Sequence, residues 1–341
     1  MEIRGLREVA SPFFVDMREA LSIWAHQKVR VGTLPYISRE IFRLRYAVLL
    51  LLFVLVGAEF IARTWLGLGT PPIFVRHPTI EYMHKPNQDV MRFGTRQLYN
   101  ELGMRNFSTA QFGKREVIMV FGDSVVNGGA LTDHENLATS ILTNERVVYA
   151  NISAGSWGPQ NMAAYWAEFR EKLPYRKAIL VLSSHDYTDI PTFAPLDPRT
   201  HPTETPALAL LEGAFSYLPR YLPDSWFNDP SKSAERFRNE ADRAQPGEQA
   251  IHKLIDQFRR DGVSLCVVRH YTLSEMGNVP ETGDALMAMA IAKHSLPLVD
   301  LRKHYPPNVP RKTFFRDDIH FNASGQTILA KAVARCASFL D

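Results

Sequence analysis

Residues Ala47–Ala58 read AVLLLLFVLVGA, twelve residues without a charge. That run constrains the start of the chain more than any other feature. Twelve residues alone are too few to cross a bilayer, and a buried helix explains them equally well. The flanks lengthen the segment. Leu44 and Tyr46 extend it on one side, and Phe60, Ile61, Ala62, Trp65 and Leu66 on the other. At about 1.5 Å per residue, residues 44–66 are long enough to cover roughly 30 Å of hydrocarbon. Glu59 and Arg63 are spaced one helical turn apart, acid first, which lets them pair. Trp65 suits a membrane interface.

Arg39, Arg43 and Arg45 precede the segment, with Lys28 and Arg30 further back, whereas basic residues after it are sparser. This asymmetry puts the N-terminus in the cytoplasm and the bulk of the chain outside. A cleaved signal peptide ending at Val56-Gly57-Ala58 is the alternative, but the leader of 46 residues is long for one. A core helix of a soluble protein is the third reading. Residues 1–43 form a leader in which Ser11-Pro12 can start a helix. Phe13, Phe14, Met17, Leu21 and Trp24 then share a face, either as a surface-lying helix or as a docking element.

The 341 residues carry a net charge of +3, which gives no ground for a nucleic-acid partner. Cys266 and Cys336 are the only cysteines. Each lies in an apolar pattern, so two buried free thiols are expected, with a disulfide as the alternative.

Residues 67–115 are rich in turn formers and read as a connecting segment. From residue 116 strands alternate with helices. Val117–Phe121, Arg146–Ile152, Ala178–Leu182, Val263–Arg269 and Leu296–Leu301 read as strands. Leu131–Leu142, Gln160–Lys172, Gln249–Arg260, Gly283–His294 and Asn322–Leu340 read as helices. Continuous apolar strands alternating with helices predict an α/β fold, a three-layer α/β/α sandwich on a parallel sheet. Between Pro191 and Arg243 the alternation breaks, and eight prolines fall between 191 and 230. A structureless loop of that length is uncommon, so residues 191–243 read as an inserted cap, with short helices at Leu208–Leu218 and Ser233–Arg243. Its Phe215, Tyr217, Tyr221, Trp226 and Phe227 suit a cleft wall, a membrane face or plain packing.

The first strand runs into Gly122-Asp123-Ser124. A serine there is either a helix cap or a hydroxyl offered to a substrate, and the second role needs a base. Asp317 and His320, three residues apart before the last helix, supply one: the carboxylate can reach imidazole Nδ1 and leave Nε2 for the serine. Asp318 is a rival carboxylate. Ser124 at a strand's C-terminal end and His320 in a late loop can meet at the ligand-binding edge of a parallel sheet.

These blocks resemble the SGNH (GDSL) hydrolases. Phe121-Gly122-Asp123-Ser124 with Gly128 is similar to the first block. Asn151-Ile152-Ser153-Ala154-Gly155 is similar to the second, and Asp317-x-x-His320 to the last. The resemblance covers roughly residues 116–341, in the family's order. It implies an SGNH or flavodoxin-like sheet and a Ser124-His320-Asp317 triad. It also implies an oxyanion hole formed by the Ser124 and Gly155 backbone N–H groups. The family's third block carries an asparagine where Leu182-Ser183-Ser184-His185-Asp186 has His185, whose ring can donate a hydrogen bond in the asparagine's place. No metal and no organic cofactor is required by such chemistry. Asp186 suits loop structure, Asn127 and Asn151 suit support of the site, and His134, His201, His252 and His270 show no partner pattern.

An anchored protein of this kind resembles the membrane-anchored SGNH proteins of bacterial envelopes. That resemblance implies an O-acetyltransferase or acetylesterase acting on an exported polysaccharide. The protein would sit in the inner membrane with its catalytic domain in the periplasm, beside a membrane acyltransferase or synthase partner. A non-catalytic assembly subunit and a lipid esterase are the alternatives.

Overall fold

A computed structural model describes residues 36–218, 246–277 and 282–340. Residues 1–35 of the leader, the expected helix at Ser233–Arg243, and Tyr221, Trp226 and Phe227 lie outside the described residues, while residues 36–43 of the leader already belong to the first helix. The chain falls into two compact units, Met1–Gly57 and Ala58–Asp341.

Helix α1 runs Tyr36–Thr64, and Ile41–Thr64 is long and apolar enough to cross a membrane, with a mean hydropathy of 2.2. The helix stops at Thr64, two residues before the expected end of the span. Gly67 and Gly69 follow it with φ of 64° and 82°, a left-handed backbone that ends helices. The expected pairing forms: Arg63 Nε donates to Glu59 Oε1 at 2.6 Å.

The second unit is built on a five-stranded parallel sheet. Its strands are β5 (Glu116–Gly122), β6 (Val147–Ser153), β7 (Lys177–Leu182), β8 (Ser264–Arg269) and β9 (Leu298–Asp300), lying side by side as β6-β5-β7-β8-β9. This is the doubly wound 2-1-3-4-5 order, in which ligands bind beyond the strands' C-terminal ends.

Both sheet faces are covered, so each central strand is apolar throughout. Met119 and Phe121 pack with Met162 and Trp166 of the helix Pro159–Phe169 and with Ile255 and Phe258 of the helix over 246–260. Ile118 and Val120 point the other way, against Ile328, Leu329 and Val333 of the last helix (Ala323–Ala337). The three-layer expectation therefore stands. The helix expected over Leu131–Leu142 is reduced to Ala138–Leu142. Upstream, Asp133 accepts from Glu135 N at 3.0 Å and holds a separate tight turn, and Leu137 is extended.

Residues 67–115 contribute to the same core. They form two antiparallel hairpins: β1 (Phe74–His77) with β2 (Glu81–His84), and β3 (Gln88–Arg92) with β4 (Thr95–Tyr99). Ile80, Tyr82, Met83, Leu102 and Met104 are buried in the cluster that covers one face of the sheet. Arg105 N donates to Asn151 O at 3.1 Å and Asn106 Nδ2 to Tyr149 O at 3.1 Å. These bonds cover the outer edge of β6, which would otherwise present unpaired backbone groups.

Cys266 and Cys336 form a disulfide, with Cα atoms 5.7 Å apart, which overturns the expectation of free thiols. Cys266 lies on the face of β8 that meets the last helix, directly opposite Cys336. The bridge closes a loop with a sequence separation of 70. Closing such a loop restricts the unfolded chain by about 4 kcal/mol. Reduction, or the Cys266→Ser/Cys336→Ser pair, is expected to lower the urea midpoint without changing the folded far-UV spectrum. An unchanged midpoint in reductant would contradict this.

Candidate active site

Strand β5 ends at Gly122 because the next turn must fold back onto it. A Cβ at Gly122 would lie 2.3 Å from Val126 Cγ2. Asp123 then caps a single helical turn, Ser124–Asn127, accepting from Val125 N at 2.8 Å. Gly128, with φ of 75°, ends the turn and donates to Ser124 O at 2.8 Å. The serine therefore starts the turn directly beyond the strand's C-terminal end, half-buried.

His320 arrives from the other end of the chain. Its Nε2 is 2.9 Å from Ser124 Oγ, and its Nδ1 is 2.8 Å from Asp317 Oδ2. Nδ1–H donating to Asp317 leaves Nε2 to accept from the serine hydroxyl. Asp317 Oδ1 also accepts from Ile319 N at 3.0 Å and His320 N at 2.7 Å. Partial burial works against the Asp317 carboxylate, but these N–H groups and the ring outweigh it and hold it below the usual carboxylate range. Asp318, the rival acid, faces elsewhere and accepts from Ser274 N and Oγ at 3.0 and 2.9 Å.

Gly155 lies just past β6. Among the described residues neither its N–H nor that of Ser124 has an acceptor. Both are free to serve an oxyanion. His185 sits in the turn after β7, half-buried, and its ring makes no hydrogen bond to a described residue. Asp186, one residue on, is fully buried and accepts from Ser183 N and Oγ. Burial, then the neighbouring Asp123 carboxyl, push its carboxyl well above the usual carboxylate range. Of the asparagines expected to support the site, Asn151 Nδ2 donates to Val126 O at 2.9 Å and Asn127 Nδ2 to Ser153 O at 3.2 Å. Together they tie the serine turn to β6.

Several supporting residues have no signature in the sequence. Gln326 Nε2, fully buried on the last helix, donates to Val125 O at 2.9 Å. Buried Arg105 donates to the carbonyls of Asn127, Gly129 and Thr132, and Arg316 Nη2 donates to Gly128 O at 3.0 Å. His270, expected to be incidental, is fully buried with Nε2 3.0 Å from Ile319 O, inside the Asp317–His320 loop. Tyr82 Oη donates to Gly155 O at 2.6 Å. Burial, then the Glu81 charge, push the Tyr82 phenol well up, which keeps it a donor. Trp157 Nε1 to Tyr82 O at 3.0 Å and Asn161 Nδ2 to Ile80 O at 2.7 Å complete a staple between the first hairpin and the glycine loop.

The serine follows the first strand of the sheet, the glycine the second and His185 the third, with the Asp-His loop before the last helix. That is the order of the SGNH blocks. The fold is a three-layer α/β/α sandwich on a parallel sheet of 2-1-3-4-5 order.

No family model matches the sequence, and no curated protein matches it. Solved structures do align. An α/β hydrolase from the metagenome of Lake Arreo is 15% identical, covering 66% of this chain and 96% of its own, with a TM-score of 0.39. A lipolytic G-D-S-L protein from Veillonella parvula is 11% identical over 65% of this chain and 98% of its own, TM-score 0.38. An acetylxylan esterase from Geobacillus stearothermophilus is 12% identical over 66% and 96%, TM-score 0.40.

Two predictions follow from this geometry. Tyr82→Phe removes the side-chain bond that holds the Gly155 carbonyl, worth about 1 kcal/mol. Hydrolysis of p-nitrophenyl acetate is expected to lose roughly five- to tenfold in kcat, with KM little changed. A wild-type kcat would show that Gly155 needs no such support. The second concerns pH. Burial drives His270 down to about 3, from an ordinary 6.5. Between those values the unfolded chain holds a proton that the folded chain lacks, so stability rises with pH across that window and is level above it. Each pH unit is worth about 1.4 kcal/mol for this histidine. Melting temperatures are expected to fall from pH 6.5 towards pH 4, and less steeply in His270→Gln; parallel slopes would remove His270 as a cause.

Proposed function

We propose that this chain is a membrane-anchored serine acyl-transfer enzyme acting on an acylated envelope polysaccharide. The observation that carries the reading is the hydrogen-bonded line Ser124 Oγ, His320 Nε2, His320 Nδ1, Asp317 Oδ2, with links of 2.9 and 2.8 Å. That line is the chemistry of an activated serine.

In the proposed reaction Ser124 Oγ attacks an ester carbonyl carbon as its proton passes to His320 Nε2. Asp317 accepts from Nδ1–H and stabilises the imidazolium. The tetrahedral oxygen takes the Ser124 and Gly155 N–H groups, with His185 as third donor. Collapse breaks the ester C–O bond, and the leaving alcohol takes the proton from Nε2. The acyl-serine is then attacked by water or by a sugar hydroxyl, whose proton goes to Nε2, and Ser124 is released with its hydrogen. Water as acceptor makes an esterase, and a sugar makes an O-acetyltransferase.

Two observations support an extracytoplasmic site. One helix, Ile41–Thr64, is long enough to cross a membrane, with an excess of arginine on its N-terminal side. The bridged pair Cys266–Cys336 suits an oxidising compartment such as the periplasm. The single-pass arrangement would tether the site to the inner membrane where a polymer leaves the cell, beside a transmembrane partner that supplies acyl groups. The replacement of asparagine by His185 favours a second reading, in which the domain binds polymer in an assembly complex without turnover.

The test is intact-mass analysis after mixing the full-length protein with an activated acetyl ester. A 42 Da adduct on wild type, absent from Ser124→Ala, is expected about as the chemistry dictates. Discharge by water alone marks an esterase, and discharge only with added oligosaccharide marks a transferase. No adduct and equal ester hydrolysis by both proteins would favour the non-catalytic reading.

A further inference from the structure

We infer that the helical segment 208–218 is a second membrane contact, seated in the headgroup region beside the end of α1; this rests on the anchor reading above. The segment Leu208-Ala-Leu-Leu-Glu-Gly-Ala-Phe-Ser-Tyr-Leu218 contains one charged residue, Glu212. It forms one α-helical turn, Ala209–Glu212, and continues as a wider turn over Gly213–Tyr217. Leu208, Leu211, Phe215 and Leu218 recur at helical spacing and are 47%, 48%, 66% and 52% exposed. The lone charge is not on that face. Glu212 is 9% exposed, pairs with buried Arg92, and accepts from Gly69 N at 2.5 Å. The outward face is therefore apolar and uncharged.

What covers that face follows from what the other face is bonded to. Glu59, on the last turns of α1, accepts from Ala209 N at 2.8 Å and Leu210 N at 3.0 Å, so α1 itself caps this segment. Arg63 Nη2 donates to Ala207 O at 2.7 Å. Ala62 and Leu68 pack against Ala209. Near those anchoring residues Phe60 is 65% exposed and Trp65 77% exposed. The segment carrying the apolar stripe is thus joined, through Ala209, Leu210 and the preceding Ala207, to the terminal turns of a membrane-length helix. A tryptophan at such an end lies at the interface. An uncharged apolar face held beside it meets lipid at the same depth, as interfacial helices do. Glu212 and the Tyr217 hydroxyl face inward, to Gly69 and Arg92.

The test uses the full-length protein in lipid-only nanodiscs. The native cysteines are bridged and buried, so a nitroxide can be placed on single cysteines introduced as Leu208→Cys, Leu211→Cys, Phe215→Cys and Leu218→Cys. All four positions are exposed, and an unchanged melting temperature controls for folding. Leu51→Cys reports the span and Leu131→Cys, exposed on a loop near the serine, reports water. The ratio of oxygen to nickel-chelate collisions is expected to be several-fold higher at the four sites than at Leu131, and lower than at Leu51. Ratios equal to Leu131, with Leu51 in lipid, would overturn the inference alone. Shielding of the four sites from both agents would also overturn it, because protein rather than lipid would be the cover. A water-exposed Leu51 would remove the anchor reading and this inference together.

Discussion

The bond between Ser124 Oγ and His320 Nε2 joins residues 196 apart at 2.9 Å. A hydrogen bond contributes about 1 kcal/mol net, far too little to hold two loops together against their conformational freedom. The loops must be brought to that distance by other contacts. On the serine side these are Gln326, Asn151 and Asn127, each pinning a different peptide of the turn or its neighbour strand. On the histidine side His270 meets the Ile319 carbonyl, and Leu273 and Ser274 hold Asp318. Phe315 and Phe321 bury the two ends of the loop and pair across it. The Ser124 and His320 side chains are thus held in place by residues outside the hydrogen-bonded line itself.

Arg105 and Arg316 show the cost of this arrangement. Both guanidinium groups are driven towards lower pKa by burial, fully for Arg105 and in part for Arg316. Neither donates to a carboxylate. Both donate to main-chain carbonyls between Asn127 and Thr132, the stretch that follows the serine. A buried cation is costly unless its donors are satisfied. Arg105 meets three carbonyls from one planar fork, which a lysine ammonium does not do in the same geometry, although the Nε of Arg105 and of Arg316 has no partner among the described residues. Two glycines in left-handed conformation, Gly128 and Gly129, let those carbonyls converge. The irregular loop is therefore as determined as the helices around it.

The sheet, its layers and the serine, histidine and aspartate were legible in the sequence for a physical reason. A strand buried on both faces must be apolar throughout, and Val117–Phe121 and Ala178–Leu182 have no other comfortable conformation. The Asp-x-x-His spacing is local, so its geometry follows from one turn. The supporting residues were not legible because their partners are remote and mostly main chain. Gln326 and Val125 are 201 positions apart, and Tyr82 and Gly155 are 73 apart. Nothing in a glutamine or a tyrosine announces which carbonyl it will meet. The thiols of Cys266 and Cys336 were misread for a related reason. Apolar surroundings suit a free thiol and a buried disulfide equally, and only the pairing of a strand face with a helix face decides. The hairpins of residues 67–115 escaped because their strands are short, and several of their buried side chains are polar or charged: His84, Arg92 and Gln97 are all under 5% exposed.

Those hairpins also join the end of α1 to the serine loop. Glu59 caps residues 209 and 210, and Glu212 takes Arg92 at the end of β3. Across the β3–β4 turn, Thr95 Oγ1 donates to Ala130 O at 2.7 Å and Arg96 N to Asp133 Oδ2 at 2.7 Å. Ala130 and Asp133 lie in the stretch that Arg105 and Arg316 fix behind Ser124. This chain of bonds runs from Glu59 to the loop after Ser124, all within the unit Ala58–Asp341. Each link joins two segments remote in sequence, so the loop behind the serine is held by those contacts rather than by its own local conformation.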